Sequence, residues 1–179
     1  MEIKDSGERR IFETGAVRDA AEGRGRCDLL PLDCVGKYFG YISSPVRNPD
    51  CMKAETCSVI LENLDKILWG KSEESAITRC IDIFVQRAFN DKPGQALMEL
   101  SKHYEQGAKK YAERNWQKGI PAHCYIDSCV RHLLKWYDGW DDEPHDRAVL
   151  WNLFGLWWTL RNKPEMNDLP WKEDGDNND

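Results

Sequence analysis

Apolar residues recur at intervals of three and four along most of the chain after residue 54, and this spacing limits the possible folds more than any other feature. Such spacing is typical of amphipathic helices, whereas half-buried strands need an alternating pattern, which no segment shows. The helical pattern occupies the segments 54–70, 72–89, 95–115, 123–140 and 144–162. We therefore predict an all-α protein, with two helices before residue 95 and three long helices from there onward.

Glycine and proline residues mark the ends of these helices. Gly70 follows the first helical segment, the sequence NDKPG at 90–94 separates the second from the third, and Pro164 follows the last. The inward stripe of the third helix is predicted to consist of Leu97, Leu100, Tyr104 and Ala108.

The first 36 residues interleave arginines with glycines and are predicted to form an extended or looped arm. At most a short helix is expected near 31–35, and contacts from the rest of the protein would be needed to order the arm. A frayed terminus is the alternative. Residues 37–50 are predicted to form a loop, because Pro45 and Pro49 interrupt them.

Charge and cysteine content exclude several classes of protein. The 179-residue chain has a formal net charge of −6 and ends in the acidic sequence EDGDNND, so no basic surface for nucleic acid is expected. Seven cysteines occur without a Cys-x-x-Cys pair, which excludes a zinc ribbon and favours a cytoplasmic protein with reduced thiols. No apolar run is long enough to predict a membrane span, and no signal peptide is recognisable.

Acidic and histidine side chains share helix faces at two places. Glu99 and His103 are four residues apart on the third helix. Glu143 and Asp146 are three residues apart where the last helix begins, with His145 between them. Carboxylates on two facing helices can converge on a divalent cation. Alternatively, acidic residues at a helix start only complement the helix dipole.

The turn KKYAERNWQKGIP at 109–121 combines cations with a large aromatic residue. Lys110 and Lys118 could attract a polyphosphate, while Trp116 could stack on a nucleobase. The alternatives are a solvated helix end, whose cations complement the dipole, and a Trp116 ring that folds back into the core.

The helix after this turn carries Asp127, Arg131 and His132. Asp127 and Arg131 have the spacing of an ion pair, but a guanidinium group also fits phosphate oxygens. His132 could hold a phosphate or a base edge, or it could be a satisfied core histidine. Cys124 and Cys129 lie on the same helix without a recognisable catalytic partner, so cysteine chemistry is not predicted.

Three stretches make the chain resemble a known family: TGAVRDAAEGRGRCDLLP, ELSKHYEQGAKKYAERNWQKGIPAHCYIDSCVRHLLKWYDG and DDEPHDRAVLWNL. They are similar to a phage and prophage family of dATP/dGTP diphosphohydrolases, which includes the MazZ enzymes and is related to the MazG-like all-α nucleotide pyrophosphatases. The resemblance covers residues 14–36 and 95–170 and implies a MazG-like helical bundle. As a single domain, the chain would comprise an N-terminal Arg/Gly arm (1–36), a helical insertion (37–94), a catalytic helical core (95–164) and an acidic tail (165–179).

The resemblance implies that Mg²⁺ or Mn²⁺ supports cleavage of a purine (d)NTP between its α and β phosphates, giving a (d)NMP and pyrophosphate. Glu99 and Glu143 are then the expected catalytic residues. The expected metal ligands are Glu99, Asp127, Glu143, His145 and Asp146. The expected nucleotide-binding residues are Lys110, Asn115, Trp116, Lys118, Arg131 and His132.

One departure from the related MazG-like pattern keeps other functions open. That pattern reads ExxE on one helix and ExxD on another; here Glu99 is followed by Lys102, while Glu143 and Asp146 keep the ExxD spacing. One alternative is therefore a nucleotide-binding phage protein without turnover, such as a sponge for a host signalling nucleotide. Another is a helical interaction protein that uses its tryptophan-rich last helix.

The resemblance also implies an assembly and a location. It predicts a homodimer or homotetramer in the cytoplasm of a bacterial host, with no nucleic-acid or membrane partner.

Overall fold

The computed structural model describes residues 7–19, 27–42, 51–70 and 73–170. Within these ranges the chain is mainly helical, which confirms the all-α prediction. The six helices are α1 Leu32–Ile42, α2 Cys51–Leu68, α3 Glu73–Ala88, α4 Pro93–Tyr111, α5 Ala122–Tyr137 and α6 His145–Asn162. Short 3-10 helices cover Cys27–Leu29, Asn115–Lys118 and Pro164–Met166.

Helices α5 and α6 form the centre of the protein, with α2 packed on α5 and with α3 and α4 packed on α6. Leu133 of α5 and Leu150 of α6 are completely buried, and each such side chain contributes about 1.5–3 kcal/mol relative to an exposed position. Gly155 allows a close approach of the two helices: a Cβ there would lie 2.3 Å from Cε1 of Tyr125.

Helix α1 extends beyond the short helix expected near 31–35. The predicted loop at 37–50 is therefore wrong for residues 37–42, while residues 43–50, including both prolines of that prediction, lie outside the described part of the chain. Phe39 is buried, and its ring meets that of Tyr137 edge to face, with centroids 4.9 Å apart. Tertiary packing against the rest of the bundle thus stabilises a segment whose own sequence gives a weak helical signal.

Part of the arm, predicted as extended or looped, forms a small β-hairpin. Strands β1 (Arg9–Ile11) and β2 (Val17–Asp19) pair antiparallel, and the turn is closed by a hydrogen bond from Phe12 N to Ala16 O of 2.9 Å. Gly15 adopts a φ of +76°, a left-handed value that glycine accepts without strain. Three-residue strands are too short to show alternation, so sequence patterning could not predict them. Residues 1–6, 20–26 and 171–179 of the predicted arm and tail lie outside the described residues.

The inward face of α4 differs by one residue from the predicted stripe. Leu97 is 52% exposed, whereas Ala96 and Leu100 are buried. Ala96 and Leu100 are one helical turn apart, and they share the side of α4 that packs on α6. Among the described helices, none combines the length and apolar character that crossing a membrane requires.

Candidate active site

A cavity of about 920 Å³ lies between the β-hairpin, α4, the turn after α4, α5 and the beginning of α6. Its volume is in the range that holds a nucleotide-sized ligand. Aromatic side chains, including Tyr104 and Trp151, line part of the wall, and charged side chains from α5 and the hairpin line the rest. The cavity therefore combines apolar surface with groups that can bind an anionic molecule.

A histidine–carboxylate cluster is formed by His132, Glu143 and His145, whose ligand atoms lie within 4.8 Å of one another. The Nδ1 atoms of the two histidines are 3.0 Å apart. Oε1 of Glu143 lies 3.6 Å from Nδ1 of His132 and 3.9 Å from Nδ1 of His145. The cluster is a candidate metal site on the same cavity wall, since His132 and Glu143 both line the cavity.

Asp142 fixes the orientation of His145. Its Oδ1 lies 2.8 Å from Nε2 of His145, and its Oδ2 accepts a hydrogen bond of 3.1 Å from Nζ of Lys135. Burial raises the pKa of Asp142, but these two hydrogen bonds outweigh it and hold the pKa at about 2. Because an ionised carboxylate only accepts hydrogen bonds, Nε2 of His145 must donate to Asp142, and Nδ1 of the same ring faces the cluster.

The donor set fits a divalent cation. Two atoms bound to one ion at about 2.1 Å lie no more than about 4.2 Å apart, and all three separations in the cluster meet this limit. Burial and the neighbouring positive charges lower the pKa of His132, which keeps its ring neutral and able to bind a metal. A carboxylate that holds the far nitrogen of a ligating histidine is also a common feature of metal sites.

Arg18 extends from the hairpin into the cavity wall. Its guanidinium group donates hydrogen bonds of 2.8 Å to the carbonyl oxygen of Cys124 and 2.9 Å to Oγ of Ser128. The same group lies over the rings of Tyr125 and Trp151, at 5.5 and 5.4 Å from their centroids. These contacts fix a positive charge between α5 and α6 at a position that sequence spacing does not reveal.

Arg131 places a second guanidinium group on the cavity wall. It forms an ion pair with Asp127, and Asp127 also accepts a hydrogen bond of 2.6 Å from the backbone N of Cys27. The Asp127 carboxylate is thus shared between a cation and a backbone amide, and it lies outside the metal-ligand cluster. Asp127 joins the segment before α1 to the site.

His103 forms part of the wall near Trp151, with ring centroids 6.0 Å apart. Burial, together with the charges of Arg147 and Lys110, lowers its pKa to about 4. Its buried Nδ1 has no hydrogen-bond partner among the described residues. A neutral imidazole at this position can donate to or accept from a ligand in the cavity.

Two of the carboxylates predicted to bind metal have other partners. Glu99 binds Arg147 at 2.8 Å and Lys102 at 2.5 Å, and it does not line the cavity. The carboxylate of Asp146 accepts a hydrogen bond of 2.8 Å from the backbone N of Arg147. Neither belongs to the cluster of His132, Glu143 and His145.

Four of the predicted nucleotide-binding residues lie in the last turn of α4 or in the turn that follows it, and three of them contact the hairpin. Asn115 makes two hydrogen bonds with the backbone of Val17, of 3.0 Å to its N and 2.8 Å to its O. Lys110 binds Asp19 at 2.8 Å, and Lys118 donates to the Gly15 carbonyl oxygen at 3.4 Å. The remaining one, Trp116, lines the cavity and packs against Tyr104 and Trp158.

Sequence reasoning did not select Arg18, Lys135 or Trp151 as site residues. Lys135 is three residues after His132 and four after Arg131, so helical spacing alone could have placed it on the same face. Trp151, on the tryptophan-rich last helix, lines the cavity. Arg18 could not have been found, because nothing in the arm indicates where the hairpin docks.

Comparison with known proteins gives one match. The family model described as "dATP/dGTP diphosphohydrolase, N-terminal" matches residues 81–169, about half of the chain. The matched segment contains α4, α5 and α6, and hence all three members of the candidate metal site. No curated protein and no solved structure matched the chain.

Proposed function

We propose that this chain, which belongs to the dATP/dGTP diphosphohydrolase family, hydrolyses a purine (d)NTP such as dATP or dGTP to the monophosphate and pyrophosphate. One observation carries the proposal: a cavity of about 920 Å³, lined mainly by residues of the matched segment and by the β-hairpin, has a metal-ligand cluster and fixed cations on its walls. A nucleoside triphosphate needs both, since its charge must be neutralised while one phosphoanhydride is cleaved.

The ion, Mg²⁺ or Mn²⁺, would be held by His132, Glu143 and His145, with Asp142 orienting His145. When bound, it would offset the triphosphate charge and make ionisation of a nearby water easier. Two of the three donor atoms are imidazole nitrogens. Because Mg²⁺ prefers oxygen ligands and imidazole suits transition metals, this donor set favours Mn²⁺ over Mg²⁺.

The cationic side chains would hold the phosphates. Arg131 and Lys135 are on the α5 face that also carries His132, so they can contact oxygens of a triphosphate whose α-phosphate lies near the cluster. Arg18 would remain fixed by its hydrogen bonds and add positive potential without moving. Such preorganised charge stabilises the departing pyrophosphate.

Of the two carboxylates expected to be catalytic, Glu143 is the better placed for the proton transfer. Water attacks the α-phosphorus, the bond to the α–β bridging oxygen breaks, and pyrophosphate leaves with the bonding electron pair. The proton lost by the water passes to a carboxylate of the site. Glu143 lines the cavity and can accept this proton, whereas Glu99 does not line the cavity. We therefore assign the catalytic carboxylate to Glu143 and propose that Glu99 acts only through its ion pair with Arg147.

The test compares pyrophosphate release from dATP and dGTP by the wild type, Glu143→Gln and Glu99→Gln. Glu143→Gln is expected to reduce kcat by at least about 100-fold, the usual effect of losing a general base, while Glu99→Gln retains most of the activity. Glu55→Gln is the matched control, because Glu55 is an exposed residue of α2 paired with Arg87 at 3.8 Å. Equal losses in the Glu143 and Glu55 variants would contradict the assignment.

Binding without turnover is the second candidate. The ion pairs of Glu99 with Arg147 and Lys102 favour it, because they engage Glu99 away from the metal-ligand cluster. Glu143 and Asp142 are then the carboxylates next to the two histidines. Calorimetry with and without EDTA separates the two functions. Stoichiometric binding of an unhydrolysed nucleotide that survives chelation supports the sponge, and turnover that EDTA abolishes supports the enzyme.

A further inference from the structure

Cys124, His123 and Asp168 form a thiol–imidazole–carboxylate chain where α5 begins. Nε2 of His123 lies 3.3 Å from Sγ of Cys124, and Nδ1 of the same ring contacts Oδ2 of Asp168. The backbone N of His123 also donates to Oδ1 of Asp168 at 3.0 Å. The ring is therefore held at both nitrogens, and its orientation is fixed.

The surroundings of the sulfur are positively charged. The hydrogen bond with Asp168, and then that with Cys124, raise the pKa of His123 to about 10, so the ring is an imidazolium at neutral pH. Nη1 of Arg10 lies 3.8 Å from Sγ, and Cys124 is in the first turn of α5, where the helix dipole is positive. Arg18 binds the carbonyl oxygen of the same residue at 2.8 Å. Cations and helix N-termini are the features that stabilise a thiolate.

Cys124 is 7% exposed and lines the cavity together with His123 and Arg10. Three other cysteines provide a contrast. Cys57 and Cys80 are fully buried, and burial raises the pKa of each to about 12. Burial likewise raises the pKa of Cys129 well above its ordinary value. Buried apolar thiols of this kind are inert.

We propose that Cys124 is a modification site for small electrophiles, hydroperoxides above all, with its sulfur held beside the imidazole of His123 and the guanidinium group of Arg10. In the reaction the sulfur attacks one peroxide oxygen, the S–O bond forms and the O–O bond breaks. Sulfur loses two electrons and becomes a sulfenic acid, and the peroxide is reduced. The alkoxide or hydroxide that leaves takes its proton from the His123 imidazolium or from water.

The proposal is independent of the reaction assigned to the cavity, because it concerns the sulfur alone. The experiment treats the full-length protein briefly with limiting iodoacetamide between about pH 6 and 8, and mass spectrometry then measures alkylation of each cysteine. Cys34, which is exposed, serves as the internal reference for an exposed thiol.

Alkylation of Cys124 should exceed that of Cys34 at pH 6. Asp168→Asn and His123→Gln should each lower the alkylation of Cys124 at this pH without changing that of Cys34. The two variants complement each other, since Asp168 has a 41% exposed side chain and its substitution leaves the helix intact. A Cys124 rate at pH 6 that is no higher than that of Cys34, or no labelling of Cys124 while Cys34 reacts, would overturn the proposal.

Discussion

Replacement of Asn115 by alanine tests whether the turn after α4 anchors the β-hairpin. The Asn115 side chain makes two hydrogen bonds with the backbone of Val17, of 3.0 and 2.8 Å, and the residue is only 6% exposed. Leaving a buried backbone group unsatisfied costs about 1–3 kcal/mol. In the variant the hairpin can separate from the turn and expose the Val17 N–H and C=O groups to water. We therefore expect Asn115→Ala to lower the free energy of unfolding by about 2 kcal/mol, which is near the lower end of the cost for two unsatisfied groups.

Urea unfolding measures this loss, and amide hydrogen exchange locates it. A loss of about 2 kcal/mol from hairpin docking corresponds to roughly 30-fold faster exchange at the Val17 amide. Asn162→Ala is the control, because Asn162 is exposed and makes one bond of 2.8 Å to the Trp158 carbonyl oxygen; it should change stability by less than about 0.5 kcal/mol. Unchanged exchange at Val17 in Asn115→Ala would refute the anchoring role.

Three further predictions concern packing, pH and metal. In urea unfolding, Gly155→Ala should destabilise the protein by about 1–3 kcal/mol, because the added Cβ would overlap Tyr125. Gly107→Ala on α4 is the control: nothing lies within 4 Å of its added Cβ, so it should be neutral or stabilising by up to about 1 kcal/mol. Because the pKa of His123 is raised, its pairing with Asp168 stabilises the fold fully below about pH 6.5, and this stabilisation is lost as pH rises through about 10. Solvent screening of the partly exposed pair limits the lost stability to about 1 kcal/mol. The urea midpoint of Asp168→Asn should lack this pH dependence. Mn²⁺ should raise the thermal midpoint more than Mg²⁺ does at equal concentration, because two of the three donor atoms are imidazole nitrogens; equal shifts would count against that donor set.

Most of the helical bundle could be predicted from local sequence. The apolar spacing on α2, α3, α5 and α6 is strong, and the glycine and proline signals lie close to the observed ends. Leu97 shows the limit of periodicity, since a one-residue difference rotates a helix face by about 100°. The full length of α1 could not be predicted beyond the short helix expected near 31–35, because the helix is stabilised by packing on α2 and by the contact of Phe39 with Tyr137, almost 100 residues later.

The candidate site was predictable only in part, for a physical reason. Glu143, His145 and His132 could be selected from two helices, but spacing alone could not show that their ligand atoms converge while Glu99 pairs with Arg147. Side-chain partners depend on how helices cross, which a single sequence does not reveal. The contacts of His123 with Cys124 and Asp168 were not predicted, for the same reason. Asp168 follows α6 in the sequence but lies beside the start of α5 in the fold.

The identity of the products tests the central claim most directly. Purified protein would be incubated with dATP or dGTP and Mn²⁺, and the products separated and identified by mass spectrometry, with water labelled with ¹⁸O as the solvent. We predict the deoxynucleoside monophosphate, carrying the label, together with unlabelled pyrophosphate. A diphosphate with inorganic phosphate, a free nucleoside with triphosphate, or label in the pyrophosphate would contradict attack at the α-phosphorus in this cavity.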